Sequence, residues 1–215
     1  MRKLNRSLAT TPTCLSNYSY ITDKWEQLVD KTDIWVEIDK FQNKLCVYCE
    51  GIAEKGKTSG HIEHFFHKAD PKYACLTFVW DNLFGCCSSN KHCGHYKDQK
   101  LTGNIKRAYD PNALIKPDVE DPEDFLQFLE SGNVKEREGL TEAMKNRALE
   151  TISALNLDCS ELILSREQQI ARFKTRLLTL TSVEDISLIL QDYQDLYREA
   201  MNTFHRTALK QSLPW

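Results

Sequence analysis

The sequence predicts an α+β fold, mostly helical, in which a small metal-bound module separates an N-terminal helix from a helical C-terminal half. Three observations predict it. Two cysteine clusters, CVYC at 46–49 and CCSSNKHC at 86–93, bracket a stretch rich in His, Gly, Asn and Lys. That stretch lacks helical periodicity and is too small for a large core, so something other than apolar packing must hold it. Beyond residue 117 the pattern changes, with Ile170, Phe173 and Leu177 following one another at helical spacing.

Taken in order, residues 1–20 read as an irregular arm. Asp23 and Glu26 then stand at capping-box spacing, which predicts a helix start, so residues 1–44 form an arm and a helix. Residues 45–107 form the cysteine/histidine module, expected as loops, a hairpin and one short helix. Residues 108–215 are expected to be helical. Asp121, Pro122 and Asp124 give a cap, a first-turn proline and a first-turn acid. Ser165 and Gln168 form another capping-box pair. Ile186, Leu190, Tyr193, Tyr197, Met201 and Phe204 continue the stripe in a last helix, which reads as core or as a face for a partner's helix.

Composition narrows the function classes. No run of about 18 apolar residues is present, so no membrane span is expected. The basic N-terminal residues precede no apolar stretch, so no signal peptide is read and a reducing cytoplasmic compartment is expected. The chain has eight cysteines, which there argue for metal ligands or buried thiols over disulfides. Net charge is −3, but its distribution is uneven. From Gly51 to Arg107 nine Lys/Arg face five Asp/Glu; from Pro117 to Glu161 four face twelve. A local basic face can bind phosphate even on an acidic chain, although both segments also read as solvated surface.

The cysteines carry the first chemical argument. Cys46 and Cys49 form CxxC, and Cys86, Cys87 and Cys93 supply a second cluster, as a tetrahedral structural zinc requires. A redox CxxC needs no second cluster and sits in a βαβ context, which is missing; plain buried thiols are the remaining reading. The ligand set is expected to be Cys46, Cys49, Cys87 and Cys93, with Cys86 competing with Cys87. Cys14, Cys75 and Cys159 look incidental. Between the clusters, IEHF reads as the end of a strand, where the adjacent Glu63 and His64 face opposite sides. A metal pinning both ends would bring Glu63, His64, Asn82 and His95 together.

These residues resemble an HNH endonuclease, the zinc-containing form of the ββα-metal nucleases. The resemblance runs through Cys46/Cys49, Glu63-His64, Asn82-Leu83, Cys87/Cys93, and His95 or Asn90 with Lys97, about a quarter of the chain. With the opening MRK, the variant CxYCE, IEHF and WxNL is similar to the HNH nuclease of Septu-type anti-phage defence systems, which also occur joined to retrons. Two departures stand out: His67 where the family often has proline, and a stretched second cysteine pair that leaves His95 and Asn90 as alternatives, His95 being favoured.

The resemblance implies metal-dependent hydrolysis of a nucleic-acid phosphodiester, DNA or RNA. A Mg²⁺ or Mn²⁺ ion would stabilise transition-state charge. His64 would be the base, Glu63 and His95 metal ligands, and Asn82 the group orienting the His64 ring. Lys97 or Lys68 would meet a phosphate, and His61, on the same strand face as Glu63, could assist the metal. Implied partners are an ABC-like ATPase of the same operon and, in retron versions, a reverse transcriptase with its DNA–RNA product. The alternative is a zinc-stabilised nucleic-acid or protein adaptor without catalysis.

Overall fold

The computed structural model describes residues 1–56, 59–99, 107–180 and 186–215, excluding the side chains of 186–188. The stretch 100–106, expected to close the module, and the Ile186 side chain lie outside the described residues. The fold is α+β, with two small antiparallel sheets among helices.

The first long helix, α1 (Thr32–Gln42), starts later than the Asp23 signal predicts. Asp23 is already used, its carboxylate accepting the Ser19 N–H at 2.8 Å, and only a 3₁₀ turn, Trp25–Gln27, follows. Asp30 supplies the effective start, accepting the Thr32 N–H at 2.9 Å. Helix α1 buries Ile34, Trp35, Ile38 and Phe41. Its Gln42 then acts as a substitute strand, the side-chain amide bonding both Gly85 N–H (2.9 Å) and Gly85 C=O (2.8 Å).

Gly85 belongs to β2 (Leu83–Cys87), which pairs antiparallel with β1 (Gly60–His64) from Gly60↔Cys87 to His64↔Leu83. Helix α2 (Cys93–Lys97) follows. The expected hairpin and short helix of the cysteine/histidine module are therefore present. Arg6 ties the N-terminal arm to them: its guanidinium bonds Asp118 at 2.7 Å and the carbonyls of Trp80 and Leu83 at 3.1 Å, and packs over Phe41, Trp80 and Phe84.

The C-terminal part departs from its forecast first at Asp121. Asp121 does cap, accepting the Glu123 N–H, but the helix it starts is one 3₁₀ turn, Pro122–Asp124. A second hairpin replaces the rest, β3 (Leu126–Phe128) with β4 (Val134–Glu136). Its burial follows period two, Leu126 and Phe128 in and Gln127 partly out, which a helix cannot satisfy. Gly132 turns the hairpin with φ +79°, where a Cβ would sit 2.1 Å from the Ile163 carbonyl.

Four helices complete the chain: α3 (Glu142–Leu155), α4 (Ser160–Leu180), α5 (Ile186–Asn202) and α6 (Arg206–Ser212). Ile170 and Phe173 are buried on α4 as expected. Ser165 is interior to α4, not its cap, because its hydroxyl bonds His205 Nε2 at 2.9 Å. On α5 the buried residues are Leu196 and Ala200, while Leu190 and Tyr197 of the forecast stripe are exposed. Tyr193 and Tyr197 instead lay their edges on Trp215.

Candidate functional site

Among the described residues, two groups of four metal donors come within 4.8 Å of one another: Cys46, Cys86, Cys87 and Cys93, and Cys49, Cys87, His92 and Cys93, all buried. CxxC sits in a knuckle where Glu50 adopts φ +59°, so that the chain doubles back and Cys46 N–H reaches Gly51 C=O at 2.7 Å. The second cluster arrives from the end of β2 and the start of α2, where Cys93 has φ +64°. Zinc–sulfur bonds of about 2.3 Å in a tetrahedron set sulfurs about 3.8 Å apart. The Cys46–Cys86 and Cys49–Cys87 separations are 3.7 and 3.8 Å. The cluster can therefore hold a metal ion such as zinc. Burial pushes the Cys93 thiol up, and pushes Cys86 to about 12, so a bound cation would be what ionises these sulfurs. The four expected ligands are divided between the two groups, Cys46 in one and Cys49 in the other with Cys87 and Cys93 in both; Cys86, the expected competitor, joins the first group, and His92 is added in the second. His92 directly precedes Cys93 in the sequence, which is the signal that could have found it.

The C-terminal helices grip this knuckle. His205 donates from its backbone to Glu50 C=O (3.1 Å) and from Nδ1 to Cys49 C=O (2.9 Å). Thr207 gives Glu50 its N–H and hydroxyl at 2.9 and 2.7 Å.

The second set of expected residues lies along β1, β2 and α2. Glu63 is buried, and one oxygen takes Lys97 Nζ at 2.9 Å and the Tyr48 hydroxyl at 3.2 Å. Its other oxygen is 3.3 Å from His61 Nε2. Burial alone would raise this carboxyl; the Lys97 ammonium, then His61, overcome that and hold it at about 2. The carboxylate presses on the start of α2, where a Cβ on Gly94 would lie 2.3 Å from Glu63 Oε2, so this approach requires glycine.

His95 follows Gly94, and its ring stacks on His61 at 3.9 Å and 10°. Burial, then His61, lowers the His95 pKa. Both imidazoles keep a buried Nδ1 without a hydrogen-bond partner. These two orphaned nitrogens beside a carboxylate are a donor set suited to a divalent ion, although Glu63 is also claimed by Lys97. His61 and His95 line a cleft of about 680 Å³ with Trp25, Lys31, Lys55 and Ser88.

His64 is 5 % exposed and does not line this cleft; Trp25, which does, meets its ring edge-on at 4.6 Å. Its Nε2 is 3.0 Å from the Thr77 carbonyl. A carbonyl only accepts, so Nε2 carries the proton and Nδ1 the lone pair. Burial lowers its pKa to about 4, which keeps the ring neutral at pH 7.

Two expected roles change. Asn82 does not orient His64: its amide bonds Phe66 N–H (2.8 Å), Phe66 C=O (3.0 Å) and Leu76 C=O (3.2 Å), fixing the loop between β1 and β2. Thr77, next to Leu76, is the residue that meets the ring. Lys97 cannot face a phosphate, because it is 0 % exposed and also bonds the carbonyls of His64 and Phe65 at 3.3 and 3.1 Å. Lys68 remains at the surface beside Glu26 at 3.6 Å. Asn90, the alternative to His95, is exposed. Cys14, Cys75 and Cys159 stand outside the cluster.

No family model matches the chain, and no curated protein matches it significantly.

Proposed function

We propose that this chain is a metal-dependent HNH-type endonuclease that hydrolyses phosphodiester bonds of DNA or RNA. The observation that carries the reading is the order and proximity of its parts: a cysteine-pinned β1–β2–α2 unit with Glu63 and His64 at a strand end, and His61 and His95 opening onto one cleft. A Mg²⁺ or Mn²⁺ ion bound there would supply Lewis-acid stabilisation of the phosphate. Glu63, His95 and His61 are the residues that would hold it. His64, neutral and with Nδ1 unprotonated, would take the proton of the attacking water. The Thr77 carbonyl fixes the ring's tautomer, and Asn82 fixes the loop that carries Thr77. Trp25, Lys31 and Lys55 would meet the backbone of the nucleic acid.

By the same resemblance, the chain would be the effector of a Septu- or retron-type defence system, held by an ABC-like ATPase and in retron versions by a reverse transcriptase with its DNA–RNA product. The exposed Leu178 and Leu190 of α4 and α5 are compatible with such docking. Two observations favour the non-catalytic adaptor instead: both Glu63 oxygens are engaged, and His64 is covered.

The test is cleavage of plasmid DNA and total RNA by purified protein with Mg²⁺ or Mn²⁺. His64→Ala is expected to keep its fold and lose roughly 10²–10⁴ in rate. Cleavage by folded His64→Ala at the parent rate removes His64 from the reaction. Wild-type protein inert on both substrates, with and without the partner ATPase, supports the adaptor.

A further inference from the structure

The cysteine cluster has more donors than one ion can use. A tetrahedral zinc takes four, yet five sulfurs and an imidazole crowd the site: Cys46, Cys49, Cys86, Cys87, Cys93 and His92 Nδ1. They are arranged as two tetrads that share two members, Cys87 and Cys93. Cys46 and Cys86 belong to one tetrad and Cys49 and His92 to the other. Two tetrahedra sharing an edge require this division, two bridging sulfurs and two terminal donors on each side.

We propose that the cluster holds two zinc ions bridged by the Cys87 and Cys93 thiolates, with Cys46 and Cys86 terminal on one ion and Cys49 and His92 terminal on the other. Each thiol gives its proton to solvent as its sulfur binds. His92 binds as neutral imidazole, with its Nδ1 already 3.1 Å from the Cys93 sulfur and 3.8 Å from that of Cys87.

Two further features support two ions. Backbone donors support a sulfur in each tetrad, Gly94 N–H to Cys86 Sγ at 3.4 Å and Gly51 N–H to Cys49 Sγ at 3.3 Å. Both bonds favour a thiolate over a thiol. Charge is the second feature. Two dications with five thiolates leave a single net negative charge, and the buried Arg166, which interacts electrostatically with Cys49 and Cys93, offsets it. A one-ion site of four thiolates would leave two negative charges in the same buried volume, at greater desolvation cost.

The full chain, stripped and reconstituted, is titrated with zinc to its end point, counted by native mass spectrometry, and examined by zinc X-ray absorption. Two ions per chain in the cysteine cluster, counted after subtracting any zinc that a His61→Ala/His95→Ala variant fails to bind at the cleft, and a metal–metal scattering shell are expected. Cys86→Ser and His92→Ala are each expected to lower the end point from two ions to one. An end point of one in the wild-type protein overturns the proposal. So does an end point of two without the metal–metal shell, or one still at two in both variants. Where a variant does not fold, the wild-type count and scattering shell decide alone. The count is independent of any cleavage, so its failure leaves the nuclease reading standing.

Discussion

Residues 45–97 and residues 141–215 solve the same problem by different physics. The first region buries Glu50, Glu63, His64, Asn82, His92 and Lys97, polar groups that cost free energy inside a protein unless each finds a partner. Its elements are short, two five-residue strands and one five-residue helix, so these polar groups sit directly against a core of Tyr48, Phe65, Leu83 and Phe84. The second region carries a 21-residue helix whose inner face presents Leu162, Ile170 and Phe173. It is held mainly by apolar packing, with Arg166 its deepest charge, bonded to the carbonyls of Gly132 and Leu157. The difference shows where geometry is being specified. Donor-rich packing fixes directions of individual atoms, and apolar packing supplies a platform. The two meet at Glu50, which accepts His205 and Thr207 from one side and shapes the cysteine knuckle on the other.

The largest break in this comparison is expected from Cys46→Ser. Structural zinc contributes about 10–16 kcal/mol to small folds. Proteolysis is expected to open residues 45–97 in the variant while α4 stays resistant. A metal-free variant with unchanged resistance throughout would mean that apolar packing holds both regions.

Next comes Lys97→Met. It leaves the Glu63 carboxylate buried without its cation, at about 3–5 kcal/mol. Combining it with Glu63→Leu is expected to restore most of the loss in urea unfolding, since an apolar pair replaces an ion pair. Equal loss in the single and double variants would show that Lys97 acts through the carbonyls of His64 and Phe65.

Acid sharpens the comparison with one histidine from each region. His64 and His205 are held at about 4 by burial, below the ordinary value near 6.5. As pH falls the unfolded chain binds these protons first. The stability contribution is therefore full above about pH 6.5 and is lost between about 6.5 and 4, on the order of 3 kcal/mol per histidine. Asp98 runs the other way. Burial raises it to about 6, so it loses stability as pH rises through that value, offsetting part of the trend. Urea midpoints at pH 7 and pH 4.5 check the sum, with a lower midpoint expected at pH 4.5. His205→Gln is expected to flatten the slope by more than half, because the opposing Asp98 contribution remains against that of His64 alone.

Much of the module was legible because its information is local. CxxC, a strand ending at Glu63-His64 and a second cysteine cluster place their donors by spacing alone, and Ile170 and Phe173 announce α4 by period. The errors arose where a local signal was outvoted at a distance. Asp121 and Pro122 start a turn, but Leu126 and Phe128 gain more by pairing as a strand against Val134 and Glu136 than by continuing a helix. Ser165 resembles a cap, but its hydroxyl is claimed by His205, 40 residues away. Asn82 reads as the partner of the His64 ring, since nothing near it in sequence shows that the Thr77 carbonyl reaches His64 while the Asn82 amide bonds Phe66 and Leu76. Lys97 looks like a surface cation until Glu63, Asp98 and Tyr109 close around it.

The central claim is that bound metal, gripped by cysteine and histidine, organises residues 45–97 into a site. Hydrogen exchange measures it most directly, comparing zinc-loaded protein with protein stripped by chelator. The account predicts that amides of β1, β2 and α2 lose their protection on stripping, with little change along α4, and regain it when zinc is returned. Identical protection in the two states would contradict it.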